Sequence, residues 1–146
     1  MIKSILFIVT AVLTTVTATA QQTAQLSPGV TITTGPVYAD GVDAQDWEAA
    51  TGQTFAKAKY EAYNSETSIK LLGNKTNLLA LTYDVNVKEG KLDIIVMDGN
   101  GRVVFQKSFT KDEKSEMQLA FAENQEYDVV FVGRKVTGSY LCKWSS

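Results

Sequence analysis

The stretch from Leu78 to Phe109 constrains this chain most. Leu79, Leu81, Tyr83, Val85 and Val87 alternate with polar Thr82, Asp84 and Asn86. Period-two alternation of this kind marks a β-strand with one buried face. Lys88-Glu89-Gly90 follows and reads as a hairpin turn, with Gly90 free to take a positive φ. From Lys91 to Met97 one face carries Leu92, Ile94 and Val96, and the other carries Ile95 and Met97. A strand apolar on both sides is expected at a central position or beneath a cover. Asp98-Gly99-Asn100-Gly101 supplies turn residues, and a third strand runs from Arg102 to Phe109 with Val103, Phe105 and Phe109 in alternation. The expectation is a three-stranded antiparallel meander.

The rest of the chain is read around it. Ala56, Ala58, Tyr60 and Ala62 alternate with Lys57, Lys59 and Glu61. Their composition also suits a helix, but the alternation predicts a strand. Further strands are predicted at 67–72, at 117–121 through Met117, Leu119 and Phe121, at 127–132 through Tyr127, Val129 and Phe131, and at the end through Tyr140, Cys142 and Trp144. Residues 133–138 read as a loop. The result is an all-β fold, a single antiparallel β-sandwich of jelly-roll type with about eight strands.

The N-terminus has a different character. Lys3 precedes an apolar run from Ile5 to Val16, and Ala18-Thr19-Ala20 forms a small-x-small cleavage pattern. This is the signature of a secretory signal peptide over residues 1–20, and its run is shorter than the roughly 20 residues of a membrane span. The sequence therefore divides into a signal peptide (1–20), a partly disordered spacer (21–51) and the β-sandwich (52–144). Within the spacer a short strand is expected at Val30 to Thr33, and Trp47 is expected as a packing anchor. The protein is expected to be exported, to the periplasm or the extracellular space, with no membrane span after cleavage.

Composition excludes several kinds of chemistry. The chain has no His, so the commonest general base and the Ser-His-Asp and Cys-His arrangements are absent. Fourteen Lys and Arg stand against sixteen Asp and Glu, a net charge of −2, which does not suit nucleic acid. Cys142 is the single cysteine. With no base beside it, it reads as a small buried hydrophobe. Asp84, Asp93, Asp98 and Asp128 lie on or beside predicted strands, where a carboxylate pair could act as a hydrolytic centre but solvated carboxylates are the ordinary case. Asp98 with Asn100, and the acidic group Asp40, Asp43, Asp46 and Glu48, offer oxygen atoms to calcium, without the spacing of a known loop. Turn geometry and a solvated linker explain the same residues. Asn74-Lys75-Thr76 matches the N-glycosylation pattern. No catalytic residue, metal ligand or cofactor is assigned, and the binding residues are unknown.

The run from Lys88 to Val104, with its "Asp-x-x-Gly" turn at Asp98 to Gly101, and the closing run from Tyr127 to Val132 and from Gly138-Ser139-Tyr140 to Trp144, resemble small exported bacterial β-sandwich domains. They are similar to the bacterial pre-peptidase C-terminal (PPC-like) domains, over roughly residues 55–144. The resemblance implies a module that binds or assists export, and it transfers no catalytic residue. The functional expectation is a non-catalytic binding or interaction module, its partner a glycan or an envelope protein. A structural envelope-associated protein and a carboxylate-dependent hydrolase are the alternatives. Tyr38, Trp47, Tyr60, Tyr63 and Tyr83 are the aromatics available for stacking on sugars. Ile95 and Met97 would form an apolar patch for a protein if their face were open.

Overall fold

The computed structural model describes residues 30–38 and 43–145. The predicted signal peptide and Asp40 lie outside the described residues. Eight strands are present among them: β1 (Val30–Tyr38), β2 (Gln45–Thr51), β3 (Phe55–Tyr63), β4 (Glu66–Gly73), β5 (Asn77–Asp98), β6 (Val103–Phe109), β7 (Glu113–Phe121) and β8 (Glu126–Ser145). Every pairing is antiparallel. The fold is the all-β sandwich of jelly-roll type that the alternation predicts. Among the described residues no helix is long and apolar enough to cross a membrane.

The organising unit is a ribbon of two long strands rather than a meander. β5 and β8 pair along their whole length, from Ala80↔Ser145 to Asp98↔Tyr127, with register shifts between Val87 and Lys91. At those shifts both strands exchange their outer partners. The first half of β5 pairs with β7 and its second half with β6. The first half of β8 pairs with β4 and its second half with β3. The ribbon thus bends from one layer into the other. The first sheet runs β2-β3-β8-β5-β7 and the second runs β1-β4-β8-β5-β6.

This corrects the hairpin expected at Lys88-Glu89-Gly90 and the loop expected at 133–138. Both segments are bends inside continuous strands. The phase of the apolar positions changes there, from Val85 and Val87 to Leu92 and Ile94, and from Tyr127, Val129 and Phe131 to Val136 and Tyr140. A one-residue slip turns the buried face to the other side, which is what a ribbon needs when it passes from one sheet to the facing one. A hairpin would produce the same phase change. Only the availability of an equally long β8 on one side selects the bend. Gly90 does take a positive φ of 77°, and a Cβ there would lie 2.2 Å from the carbonyl oxygen of Lys135. The glycine serves strand crossing rather than chain reversal. The turn at Asp98 to Gly101 forms as expected, with Gly101 N–H donating to Asp98 O at 2.9 Å.

The two layers close on an aromatic core. Phe131 stacks on Tyr140 across the bend of β8, with ring centroids 4.0 Å apart. Tyr83 meets Phe109 edge-on at 5.3 Å, and Phe121 meets Tyr127 at 4.7 Å. Cys142 is fully buried, and burial pushes its thiol up to about 12. Residues 30–38 and 45–51, read from sequence within a spacer, form β1 and β2 on the outer edges of the two sheets. Their weak patterning fits an edge strand, where a single ladder and partial burial relax the demand for alternation. Trp47 packs as an anchor, 5.7 Å from Tyr60 and 5.0 Å from Tyr63 between centroids.

β3 is a strand, and its alternation breaks once. Ala62, expected on the apolar side, is exposed and has φ 47°, while Tyr63 is buried in its place. The register shift between Tyr60 and Tyr63 opposite β8 marks a bulge, and Ala62 N–H donates to Thr137 Oγ1 at 3.0 Å. The bulge carries Tyr63 inward over Gly133, where a Cβ would stand 2.1 Å from the ring. Tyr63 then donates from its hydroxyl to Phe131 O at 2.9 Å, tying the first sheet to the second.

Candidate functional site

The outward face of the first sheet is polar because the other half of each alternation points there. Register sets its rows. Glu48 on β2 pairs with Lys59 on β3, which pairs with Ser139 on β8, which pairs with Asn86 on β5. In the next row Ala50, Lys57, Leu141 and Asp84 occupy the same four strands. These two rows line an open groove of about 550 Å³. Two smaller hollows adjoin it and share Lys59. One, of about 280 Å³, reaches Lys88 and Asp112, and the other, of about 440 Å³, reaches Asp46 and Trp47.

The groove's charged groups are free. Among the described residues, Lys57, Lys59, Glu48 and Asp84 make no ion pair within 4.0 Å. Asn86 Nδ2 donates to Ser139 Oγ at 3.1 Å, and the Asn86 side-chain carbonyl oxygen has no internal partner among the described residues. Leu141 is the one large aliphatic side chain in the floor. The side chains stand on paired interior strands, so their positions are held by ladders on both sides, as a preorganised site requires. Both ladders of β3 and β8 consume their main-chain donors and acceptors.

The carboxylates named from sequence do not come together. Asp84 lies in the groove. Asp93 is 5% exposed on the outward face of the second sheet, where it accepts from Ser108 Oγ and pairs with Lys91 Nζ at 3.6 Å and Arg134 Nη2 at 3.8 Å. Asp128 pairs with Lys70 at 3.6 Å on that same face. Asp98 closes its own turn, accepting from the N–H of Asn100 at 2.9 Å, the N–H of Arg102 at 3.0 Å and Arg102 Nε at 3.0 Å. The Arg102 backbone bond chiefly holds its carboxyl below the usual range. Those bonds engage both carboxylate oxygens of Asp98 in closing the turn. Among the described residues no three His, Cys, Asp or Glu side chains are grouped to hold a metal ion. Within the groove Glu48 and Asp84 are three strands apart, roughly 14 Å between backbones at about 4.8 Å per strand. Glycoside hydrolysis wants its two carboxyl groups about 5 to 9.5 Å apart.

The aromatics expected as a stacking surface are core instead. Tyr60, Tyr63 and Tyr83 are buried. The side chain of Tyr38 lies outside the described residues. Trp47 alone of the set is half-buried, at the end of the groove. Inward parity on β3 and β5 explains this, since an aromatic at an apolar position of the alternation must face the core. Ile95 and Met97 lie half-buried on the outward face of the second sheet, with Val130 opposite Ile95. The sugar-acceptor pattern at Asn74 is used internally, with Asn74 Nδ2 donating to Thr31 Oγ1 at 2.6 Å and Thr76 Oγ1 accepting from Glu123 N–H at 3.0 Å.

No family model matches the chain, and no curated protein is similar to it in sequence. Solved structures of similar build include carbohydrate-binding modules. One is the module CBM35 from Paenibacillus barcinonensis, at 12% identity, covering 81% of this chain and 93% of that one, with a TM-score of 0.45. Another is a carbohydrate-binding module of the Cellvibrio mixtus lichenase 5A, solved with cellotriose, at 8% identity, 77% and 96% coverage and a TM-score of 0.44. Likenesses this loose carry nothing about a ligand. What stands of the resemblance to PPC-like domains is the small β-sandwich itself.

Lys57, Lys59, Asn86, Ser139 and Leu141 were not singled out by sequence as site residues. Each is an ordinary outward position of a strand. Their only signal is which strands lie side by side, and that is absent from the chain order.

Proposed function

We propose that this protein is an exported, non-catalytic binding module that holds a soluble glycan in the groove across β2, β3, β8 and β5. The observation that carries the reading is the groove's lining. Hydroxyl, amide, carboxylate and ammonium groups without ion pairs stand on a rigid sheet, around one aliphatic side chain. Such a set can exchange hydrogen bonds with a hydroxyl-rich chain, and it has the open form a polymer needs to pass through. The wide separation of Glu48 and Asp84 and the lack of His favour binding over hydrolysis. Export rests on the leader pattern ending at Ala20.

Trp47 supplies the reporter, because it borders the groove while Trp144 is buried. The purified protein is titrated with a panel of soluble polysaccharides, following tryptophan fluorescence and melting temperature. A saturable change with a raised melting temperature is expected for at least one glycan. Leu141→Arg, which fills the floor, and the double change Asn86→Ala with Ser139→Ala are expected to abolish or weaken it without lowering the melting temperature of the free protein. Unchanged affinity in both variants would refute the placement of the site.

A further inference from the structure

Resting on that reading of the groove, we infer that its ligand is an anionic polysaccharide. Its carboxylate or sulfate groups meet Lys57 and Lys59, while its hydroxyls bond with Asn86, Ser139 and Asp84. Lys57 and Lys59 are two positions apart on β3, so both side chains rise from the same face, their backbone positions about 6.8 Å apart along the strand. Two carboxylates stand near Lys59, Glu48 across from it on β2 and Glu61 two positions along β3, and among the described residues neither makes an ion pair with a lysine of the groove. On the β8 side Lys57 faces Leu141 and Lys59 faces Ser139, both uncharged. On the β2 side Lys57 faces Ala50, and Glu48 stays beyond ion-pair distance of Lys59. Asp84 is two strands from Lys57, roughly 10 Å away by strand spacing and comparable to the Debye length in physiological salt. A ligand that brings its own anions compensates the two lysines.

The floor also argues against the other ligand classes. A neutral sugar ring gains most from an exposed aromatic face, whereas the aromatic lining the groove, Tyr140, is buried and half-buried Trp47 stands only at its end. A peptide read through its main chain adds to an open sheet edge. Here the lysines stand on β3, an interior strand whose two sides are already paired with β2 and β8. Recognition must therefore come from side chains, which suits a ligand decorated with hydroxyls and anions.

The test measures binding of the purified protein to polygalacturonate, dextran sulfate, neutral dextran and poly-glutamate by calorimetry, at low and physiological salt. The comparison includes the double variants Lys57→Gln with Lys59→Gln and Lys57→Arg with Lys59→Arg. Polygalacturonate or dextran sulfate is expected to bind, and which of the two binds identifies the anion. Affinity should weaken with salt and fall roughly tenfold in the Gln pair, the sum of two partly exposed ion contacts. The Arg pair should keep it. Neutral dextran binding as tightly, with the Gln pair unchanged, overturns the anionic ligand while leaving the groove as a glycan site. Poly-glutamate binding as tightly through the same lysines assigns the groove to an acidic polypeptide and overturns the glycan. Absence of binding by any of these polysaccharides, charged or neutral, overturns both readings.

Discussion

Two neighbouring tyrosines should respond in opposite directions to the loss of one oxygen. Tyr60 and Tyr63 lie side by side with centroids 5.0 Å apart, and both are buried. Among the described residues the Tyr60 hydroxyl has no hydrogen-bond partner, and its burial, first of all, raises the phenol well above its ordinary 10. The Tyr63 hydroxyl donates to Phe131 O at 2.9 Å and lies 3.1 Å from Thr67 Oγ1. An unpaired buried hydroxyl costs about 1 to 3 kcal/mol in desolvation. Tyr60→Phe removes that cost and leaves a void of one oxygen, so the variant should be about 1 kcal/mol more stable. Its melting temperature should rise about 4 °C in a domain of this size. Tyr63→Phe removes both of those bonds in the buried interior, and should cost about 1 to 3 kcal/mol. Urea unfolding at neutral pH, read by fluorescence and circular dichroism together, measures both. If Tyr60→Phe is destabilising by 1 kcal/mol or more, its hydroxyl has a partner such as a buried water and the argument fails.

Gly90→Ala should destabilise by about 3 kcal/mol or more, because a Cβ at φ 77° would drive into the carbonyls of Arg134 and Lys135 where the ribbon bends. Chemical denaturation tests it, and a loss below 1 kcal/mol would mean that the bend yields easily. Burial raises the Cys142 thiol from 9.0 to about 12, so the folded state holds a proton that the unfolded chain gives up. Its contribution is whole below pH 9.0 and is lost as the pH climbs toward about 12. In that window Cys142→Ala should reduce the pH slope of stability by up to about 1.4 kcal/mol per pH unit, and an unaltered slope would show that the thiol does not titrate with unfolding. Asp98 has the opposite sign. Its carboxyl is held below 3.8, so its contribution is present above that pH and is lost as the pH falls through the lower folded value. Asp98→Asn should flatten the acid limb, and neither calcium nor chelator should shift the melting temperature of the wild-type protein.

The alternation at 79–87, 117–121 and 127–131 was enough to read the strands and their buried faces. The parity of a strand is local, and the hydrophobic effect acts on it wherever the strand ends up. β3 was also legible, since eight residues of period two outweighed its helical composition. Its bulge was not, because the inward place of Tyr63 depends on the space over Gly133 and on Phe131 O, both from a distant part of the chain. The same limit applies to the groove. Lys57, Lys59, Asn86 and Ser139 look like any solvated side chains until β3, β8 and β5 are laid side by side.

Local pattern thus decided the all-β class, the inward residues, the turn at Asp98 and the exclusion of His-dependent chemistry. The leader pattern alone carries the expectation of export. Tertiary structure decided that the stretches around Gly90 and Gly133 to Gly138 bend rather than reverse. It also drew 30–38 and 45–51 into the sheets, turned Tyr60, Tyr63 and Tyr83 into core, and gathered a polar groove from four strands. Side-chain parity is set by neighbours in sequence. Strand partnership is set by which distant segment completes the ladder and covers the apolar face, and only the folded chain contains that information.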